Sequence, residues 1–417
     1  MTSNIQQMAK NAKNAFLKTM NLSSSTKNEA LKSIIKKLDN NRKIFVEANK
    51  KDLSAAKTML DNGEINKAVY DRLKLNELKL NDLIKGLNDL IKLDDTANKI
   101  LWEKELDKGL ILKKVSVPIG VIGVIFEARP DCFIQISSLI IKSGNCAILK
   151  GGRECENTNN VFYNLVVEAL REVEDFPKNV ISLVHSREDV KNMLKFDEYI
   201  NLIIPRGSNS LVKYIKENTK IPVLGHSSGI CHLFVDCDCD LEETSKIITD
   251  SKTQYPSACN AVETVLIHKD YKFLKKLKES LTKAGIKIIE NPENYSTEYG
   301  DKILSLKTVD NIDEAINHIN QYSSGHTDSI LSYNQENIEK FMNLVDSSSV
   351  FSNCSTRFSD GFRYGFGAEV GISTNKTHAR GPVGLDGLMI YKYKLYGTNN
   401  IVDDYTKGIK NFTHRIL

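Results

Sequence analysis

What most constrains this chain is a rhythm of short apolar runs alternating with helical stretches. Residues 119–126, 146–149, 180–184, 200–204 and 231–235 are rich in Val, Ile, Leu and Phe at consecutive positions, while the segments between them repeat apolar residues three and four apart. Strands that alternate with helices predict crossover connections, which join parallel neighbours. Runs that are apolar throughout predict strands covered on both faces. The fold class expected is therefore α/β, built on a doubly wound parallel sheet. A second series follows at 261–268, 287–289, 304–309 and 329–332, with helical segments at 271–284 and 311–321. Two α/β domains are expected, with a boundary near residues 250–257.

Around this frame the texture changes. The first ~95 residues read as successive amphipathic helices, with Thr26 and Glu29 spaced as a capping box for the second. Residues 101–106 and 110–117 flank Lys108-Gly109 and predict a hairpin. Residues 347–387 are dense in Gly, Ser, Arg and aromatics without periodicity, as functional loops often are. Residues 389–396 alternate apolar and basic side chains, the pattern of a half-exposed strand serving as an added edge or a subunit contact.

Charge and cysteine usage exclude several classes. Lys and Arg total 57 against 53 Asp and Glu in 417 residues, a net charge of +4, and no basic cluster stands out. Nucleic acid and anionic membranes are therefore not expected as partners. No apolar stretch approaches the ~20 residues of a membrane span, and the first 20 residues carry helical periodicity instead of a signal-peptide core. The eight cysteines, at 132, 146, 155, 231, 237, 239, 259 and 354, are scattered, which predicts reduced thiols and a cytoplasmic protein.

Three segments carry candidate chemistry. Cys259 lies in Gln254-Tyr255-Pro256-Ser257-Ala258-Cys259-Asn260-Ala261, between a predicted helix at 241–250 and a predicted strand, flanked by small residues that leave room for a substrate. Lys150-Gly151-Gly152-Arg153 and Pro205-Arg206-Gly207-Ser208-Asn209 follow predicted strands, where free backbone N–H groups and a helix dipole attract phosphate, or where the chain simply turns. Neither matches GxGxxG or a Walker loop. His226, Cys231, His232, Cys237 and Cys239 are close in sequence, but Cys-Asp-Cys lacks the separation of structural zinc ligands, and no metal is expected; Asp240 reads as an N-cap and Cys231 as strand packing.

Several long motifs in order resemble the aldehyde dehydrogenase superfamily over essentially the whole chain: VPIGVIGVIFEARPD (117–131), ILKGGRE (148–154), IPRGSNSLV (204–212), VLGHSSGICHLFVD (223–236), YPSACNAVETVLIH (255–268), INQYSSGHTDSI (319–330) and the segment 353–388, with a tail at 404–417. Within it they resemble the branch that acts on L-glutamyl 5-phosphate. The resemblance implies a Rossmann-like cofactor domain (1–97 and 118–254), an α/β catalytic domain (255–387) and a small β oligomerisation arm with a C-terminal tail (98–117 and 388–417). It implies Cys259 as nucleophile, Lys150, Gly207 and Ser208 as dinucleotide contacts, and Glu298 at the nicotinamide ribose. Arg153 beside Lys150 favours a 2′-phosphate and hence NADPH. The implied reaction is reduction of L-glutamyl 5-phosphate to L-glutamate 5-semialdehyde and phosphate through a cysteine thioester, the second step of proline biosynthesis, in a homo-oligomer functionally coupled to glutamate 5-kinase.

Two departures from the hydrolytic members are expected to matter. Val223 stands where those enzymes carry a general-base glutamate, so a thioester would be spared from water. The oxyanion-hole asparagine is missing from Phe126-Glu127-Ala128-Arg129-Pro130, which leaves Arg129 or Asn260 to replace it. Arg129, His226, Arg357, His378 and Arg380 are candidates for a cationic phosphate pocket.

Overall fold

The computed structural model describes residues 4–226 and 228–417, apart from the side chain of Ala68. The chain divides into two compact units, one of Met1–Gly207, Asn218–Val223 and Gly384–Leu417, the other of Ser208–Glu217 and Leu224–Val383. Among the described residues no helix is long and apolar enough to cross a membrane.

The first unit opens with helices Asn4–Thr19, Ser24–Asn40, Arg42–Asp61, Lys67–Arg72 and Glu77–Lys92. The second of these starts earlier than the predicted capping box allows. Ser23, in extended backbone, caps it by accepting the Thr26 N–H at 3.0 Å, and Glu29 accepts from the Ser25 hydroxyl at 3.3 Å. An oxygen three residues upstream satisfies the same orphan donor, so Thr26 is spent inside the helix.

The parallel sheet of this unit runs in the order Ile181–Val184, Cys146–Lys150, Val121–Phe126, Leu202–Arg206. Every residue of Val121–Phe126 is buried, as its uninterrupted apolarity requires. Lys150, the loop carrying Arg129 and Gly207 all lie at the carboxyl edge of this sheet, where open α/β sheets bind ligands. A separate antiparallel sheet, ordered Met389–Tyr396, Leu110–Pro118, Ile100–Asp107, Arg415–Ile416, contains the predicted hairpin; its turn uses Gly109 at φ +72°. Met389–Tyr396 is an edge strand exposed on both faces, with Ile390, Tyr391, Tyr393, Leu395 and Tyr396 all open.

The second unit holds a six-stranded parallel sheet in the order Ser349–Ser352, Thr327–Leu331, Cys231–Val235, Val262–His268, Ile303–Val309, Lys287–Glu290. Cys231–Val235 therefore belongs to this sheet and not to the first, and residues 224–254 group with the Cys259 unit instead of falling before the predicted boundary. Its partners, Asp328 opposite His232 and Val265 opposite Leu233, lie far along the chain and leave no mark on local periodicity.

Successive strand residues face opposite ways. Leu233, Val235, Val265 and Ile267 pack with Ile248, Leu277 and Leu281 of helices Leu241–Thr253 and Leu274–Lys283. Phe234, Leu266 and Ile330 pack on the other face with Ile316, Ile319 and Phe341 of helices Ile312–Tyr322 and Gln335–Leu344. Asp240 caps the first of these four helices, as expected, by accepting the Glu242 and Glu243 N–H groups at 2.7 and 3.0 Å.

Candidate active site

The three central strands of the six-stranded sheet start side by side. Cys259 stands just before Val262–His268, His326 just before Thr327–Leu331, and His226 a few residues before Cys231–Val235. Parallel neighbours ~4.8 Å apart thus deliver three side chains to one amino-terminal edge. One ligand-type atom from each of Cys259, His226 and His326 lies within 4.8 Å of the others. His326 Nε2 is 3.2 Å from Cys259 Sγ, and the two imidazoles meet edge to face at 5.1 Å.

The Cys259 turn is held from several sides. Its carbonyl accepts from the Cys231 thiol at 3.3 Å, the Asn260 carbonyl accepts from Thr356 Oγ1 at 2.6 Å, and Asn260 Nδ2 donates to the Ser359 carbonyl at 2.7 Å. Asn260, expected as an oxyanion donor, here anchors the following loop. Gly229 backs the turn so closely that a Cβ there would sit 2.3 Å from both Cys259 Cα and the Cys259 carbonyl oxygen. No described residue accepts the Cys259 backbone N–H.

Electrostatics single out one cysteine. Burial raises the thiols of Cys146 and Cys239 to about 12 and pushes Cys155, Cys231, Cys237 and Cys354 upward as well. Burial opposes ionisation of Cys259 too, but the charge of His326 and the hydrogen bonds from His226 and His326 outweigh it, and the thiol falls well below its ordinary value. His226 shifts the other way. Burial works against its protonation, yet its hydrogen bond to Cys259, the thiolate charge, the Ile372 carbonyl and Glu298 raise its pKa. The two shifts run in opposite directions, each favouring the charged form of its group.

Other predicted cations separate. Arg357 is buried, donates from Nε to Gln254 Oε1 at 2.9 Å, lies 5.8 Å from the Tyr255 ring and feels the charge of Cys259. Arg380 is spent on Asp346, bonding its carbonyl at 2.8 Å and its carboxylate at 3.1 Å, and His378 is exposed; neither joins the cysteine cluster among the described contacts. Arg129 is half-buried on the loop after Val121–Phe126. His326 was not among the residues singled out from sequence. Its signal, Gly-His-Thr inside the motif at 319–330, acquires meaning only when the strands align.

Glu298 is exposed and lines a cavity of about 570 Å³ together with Asn209, Ser228, Thr297, Tyr322 and Ser324. Its loop is fixed from beneath by a fully buried ion pair. Lys252 Nζ meets Glu263 Oε2 at 2.7 Å, and Glu263 also accepts the Tyr299 and Gly300 N–H groups at 3.2 and 3.4 Å. Burial raises the Glu263 carboxyl to about 7, with Lys252 pulling against that rise. Lys252→Met is expected to lower unfolding free energy by about 3–5 kcal/mol, because it strands a buried carboxylate, and Lys252→Met/Glu263→Gln to recover part of that loss. Urea denaturation of both variants measures it; equal stability of the single variant and wild type would contradict the pairing.

At the first unit's sheet edge, the backbone of Lys150 is paired in the sheet, but its ammonium makes no hydrogen bond or ion pair with a described residue. A Cβ at Gly151 would lie 2.0 Å from Asn159 Nδ2, and one at Gly152 1.8 Å from Glu154 Oε1, so the turn keeps its backbone bare. Arg153 is 76% exposed and only 3.7 Å from Glu64. Gly207-Ser208 leads from Leu202–Arg206 into the helix Asn209–Glu217, where the Ser208 carbonyl accepts the Val212 N–H at 3.1 Å. Within the first unit, a bare glycine turn beside an available ammonium suits a phosphate of a dinucleotide.

Residues 1–302 match the aldehyde dehydrogenase family model. The chain is 55% identical over 424 residues to the gamma-glutamyl phosphate reductase of Brachyspira hyodysenteriae, covering 98% of each chain, and 48% identical over 425 residues to that of Acetivibrio thermocellus, covering 98% of this chain and 97% of the other. The crystal structure of gamma-glutamyl phosphate reductase from Thermotoga maritima superimposes with a TM-score of 0.91 at 37% identity, covering 96% of this chain and 100% of that one.

Proposed function

Because the chain belongs to the aldehyde dehydrogenase family and, within it, to the gamma-glutamyl phosphate reductases, we propose that it reduces L-glutamyl 5-phosphate to L-glutamate 5-semialdehyde and phosphate, the second step of proline biosynthesis. The observation that carries this reading is Cys259, whose thiol lies against two imidazoles that pull its pKa down while burial raises those of other cysteines.

The Cys259 thiolate attacks the γ-carbonyl carbon, the bond from that carbon to the phosphate oxygen breaks, and a thioester remains on Sγ. Phosphate leaves as an anion, which buried Arg357 and the His226 imidazolium favour. Lys150, Arg153, Gly207, Ser208 and Glu298 would hold a nicotinamide cofactor, which would supply the hydride for reduction of the thioester. The oxyanion is assigned to the Cys259 backbone N–H, a donor that no described residue accepts. When the carbon–sulfur bond breaks, Cys259 departs as a thiolate, the state His326 and His226 stabilise, and the aldehyde is released. The one proton consumed overall ends on the phosphate. Val223, at the position of a general base in hydrolytic relatives, offers no carboxylate to activate water, so the thioester persists until it is reduced or meets phosphate.

We assign NADPH as the physiological donor, on the exposed guanidinium of Arg153 beside Lys150. Glu64, at 3.7 Å, is a weak competitor for a 2′-phosphate. Arg153→Ala is expected to raise KM for NADPH at least about tenfold and leave KM for NADH nearly unchanged, as loss of a charge-assisted contact to one phosphate predicts. Steady-state kinetics with both nucleotides tests this, and an unchanged preference removes the assignment. The exposed row on Met389–Tyr396 supports assembly into a homo-oligomer, and reduced thiols support a cytoplasmic site of action. Functional coupling to glutamate 5-kinase is in keeping with the lability of an acyl phosphate.

A further inference from the structure

Cys259 and the two imidazoles that make it reactive also have the composition of a metal site. His326 aims Nε2 at Sγ from 3.2 Å while its Nδ1 meets Thr327 Oγ1 at 2.8 Å. His226 places Nδ1 3.0 Å from the Ile372 carbonyl, which leaves Nε2 as its other ring nitrogen. Metal-binding imidazoles almost always donate their second nitrogen to such an oxygen, which fixes tautomer and ring plane. The three donor atoms lie within 4.8 Å of one another. In a tetrahedral site with Zn–S of about 2.3 Å and Zn–N of about 2.0–2.1 Å, ligand atoms are roughly 3.3–3.6 Å apart, so side-chain movement of about 1 Å closes the set. One thiolate and two imidazoles suit a borderline or soft ion and disfavour Mg²⁺ and Ca²⁺, which take oxygen ligands.

We propose that Cys259, His226 and His326 bind a thiophilic divalent cation, Zn²⁺ above all, as a reversible inhibitory ligand that occupies the reaction centre, with water completing its coordination. Binding forms one metal–sulfur and two metal–nitrogen bonds, releases to solvent whatever protons those atoms carry, and changes no oxidation state. The inhibitory consequence rests on the reading of Cys259 as the nucleophile; the binding itself does not. The ligands come from positions 226, 259 and 326, so no spacing rule in the sequence joins them. A second set, Asp236, Cys237 and His268, shares the same spread. There the Asp236 carboxylate already accepts from the Cys237 N–H, Ser332 Oγ and Asn337 Nδ2 at 2.8, 2.9 and 2.7 Å, which makes it the poorer site and a useful control.

The test uses the full-length enzyme, reduced with a non-chelating phosphine and free of substrate and nucleotide. Zn²⁺ is titrated in competition with a chromophoric chelator, and Co²⁺ binding is followed by its thiolate-to-metal charge-transfer band. One Zn²⁺ per chain is expected, with inhibition of reductase activity at the same midpoint and recovery on adding EDTA. Zn²⁺ should protect Cys259 of the wild-type enzyme from iodoacetamide, mapped by peptide mass spectrometry. Cys259→Ala should lose the site and the band, and His226→Ala and His326→Ala should each bind at least about tenfold more weakly, since loss of an outer partner alone costs about 10–100-fold. Cys237→Ser should change neither binding nor activity. Absence of saturable binding, survival of the site in Cys259→Ala, or its loss in Cys237→Ser overturns the proposal. Because binding is read without catalysis, tight zinc binding by an enzyme inactive on the acyl phosphate would sink the reductase reading and leave the metal site standing.

Discussion

Replacing Cys259 with alanine is expected to lower kcat/KM by about 10⁴-fold or more while leaving cofactor affinity and thermal midpoint near those of the wild type. The effect is large because no second thiol is prepared for the role. Cys146, Cys155, Cys231, Cys237, Cys239 and Cys354 all shift upward, so none is ionised near neutral pH. The fold should tolerate the change. The bonds that pin the turn run through the backbone carbonyls of Cys259 and Asn260 and the Asn260 side chain, none of which alanine at 259 removes. Phosphate-dependent reduction of NADP⁺ with glutamate semialdehyde measures the loss, and calorimetry reads the midpoint. Turnover within tenfold of wild type would place the nucleophile elsewhere.

His326→Ala is expected to cost about 10²–10³-fold in kcat, the usual cost of removing one preorganised donor that stabilises charge at the reacting atom. The sign of its pH effect is fixed. His326 contributes the largest downward pull on the Cys259 thiol against the upward push of burial. Its removal raises the thiol pKa, so the midpoint for iodoacetamide alkylation of Cys259 moves to higher pH, and activity recovers in part as pH rises. His326→Gln keeps a polar contact but cannot carry charge, so it should behave like the alanine variant. An alkylation profile identical to that of wild type would show that His326 does not set the thiolate.

How much of this was legible in the sequence depends on whether the signal is local. Val121–Phe126 and Val262–His268 announce themselves because strands buried on both faces must be apolar throughout, and that property is written in consecutive residues. Which sheet a strand joins is not written there. Cys231–Val235 reads like the strands before it, yet its hydrogen bonds go to Val262–His268 and Thr327–Leu331. The helix start at Ser23 was blurred because Ser23 and Thr26 both carry a capping hydroxyl. Cys259 was approachable from its small neighbours and motif, but His326 was not. A single histidine after glycine becomes a partner for Cys259 only when two parallel strands start level with each other, which is a property of register.

The central claim is that Cys259 carries the glutamyl group as a thioester protected from water. The most direct measurement mixes enzyme with glutamate 5-semialdehyde and NADP⁺ without phosphate and follows reduced nucleotide and the mass of the Cys259 peptide. The expected result is a burst of one reduced nucleotide per active site, an acyl adduct on Cys259, and its discharge when phosphate is added. Continuous turnover without phosphate, or an adduct on any other residue, would contradict it.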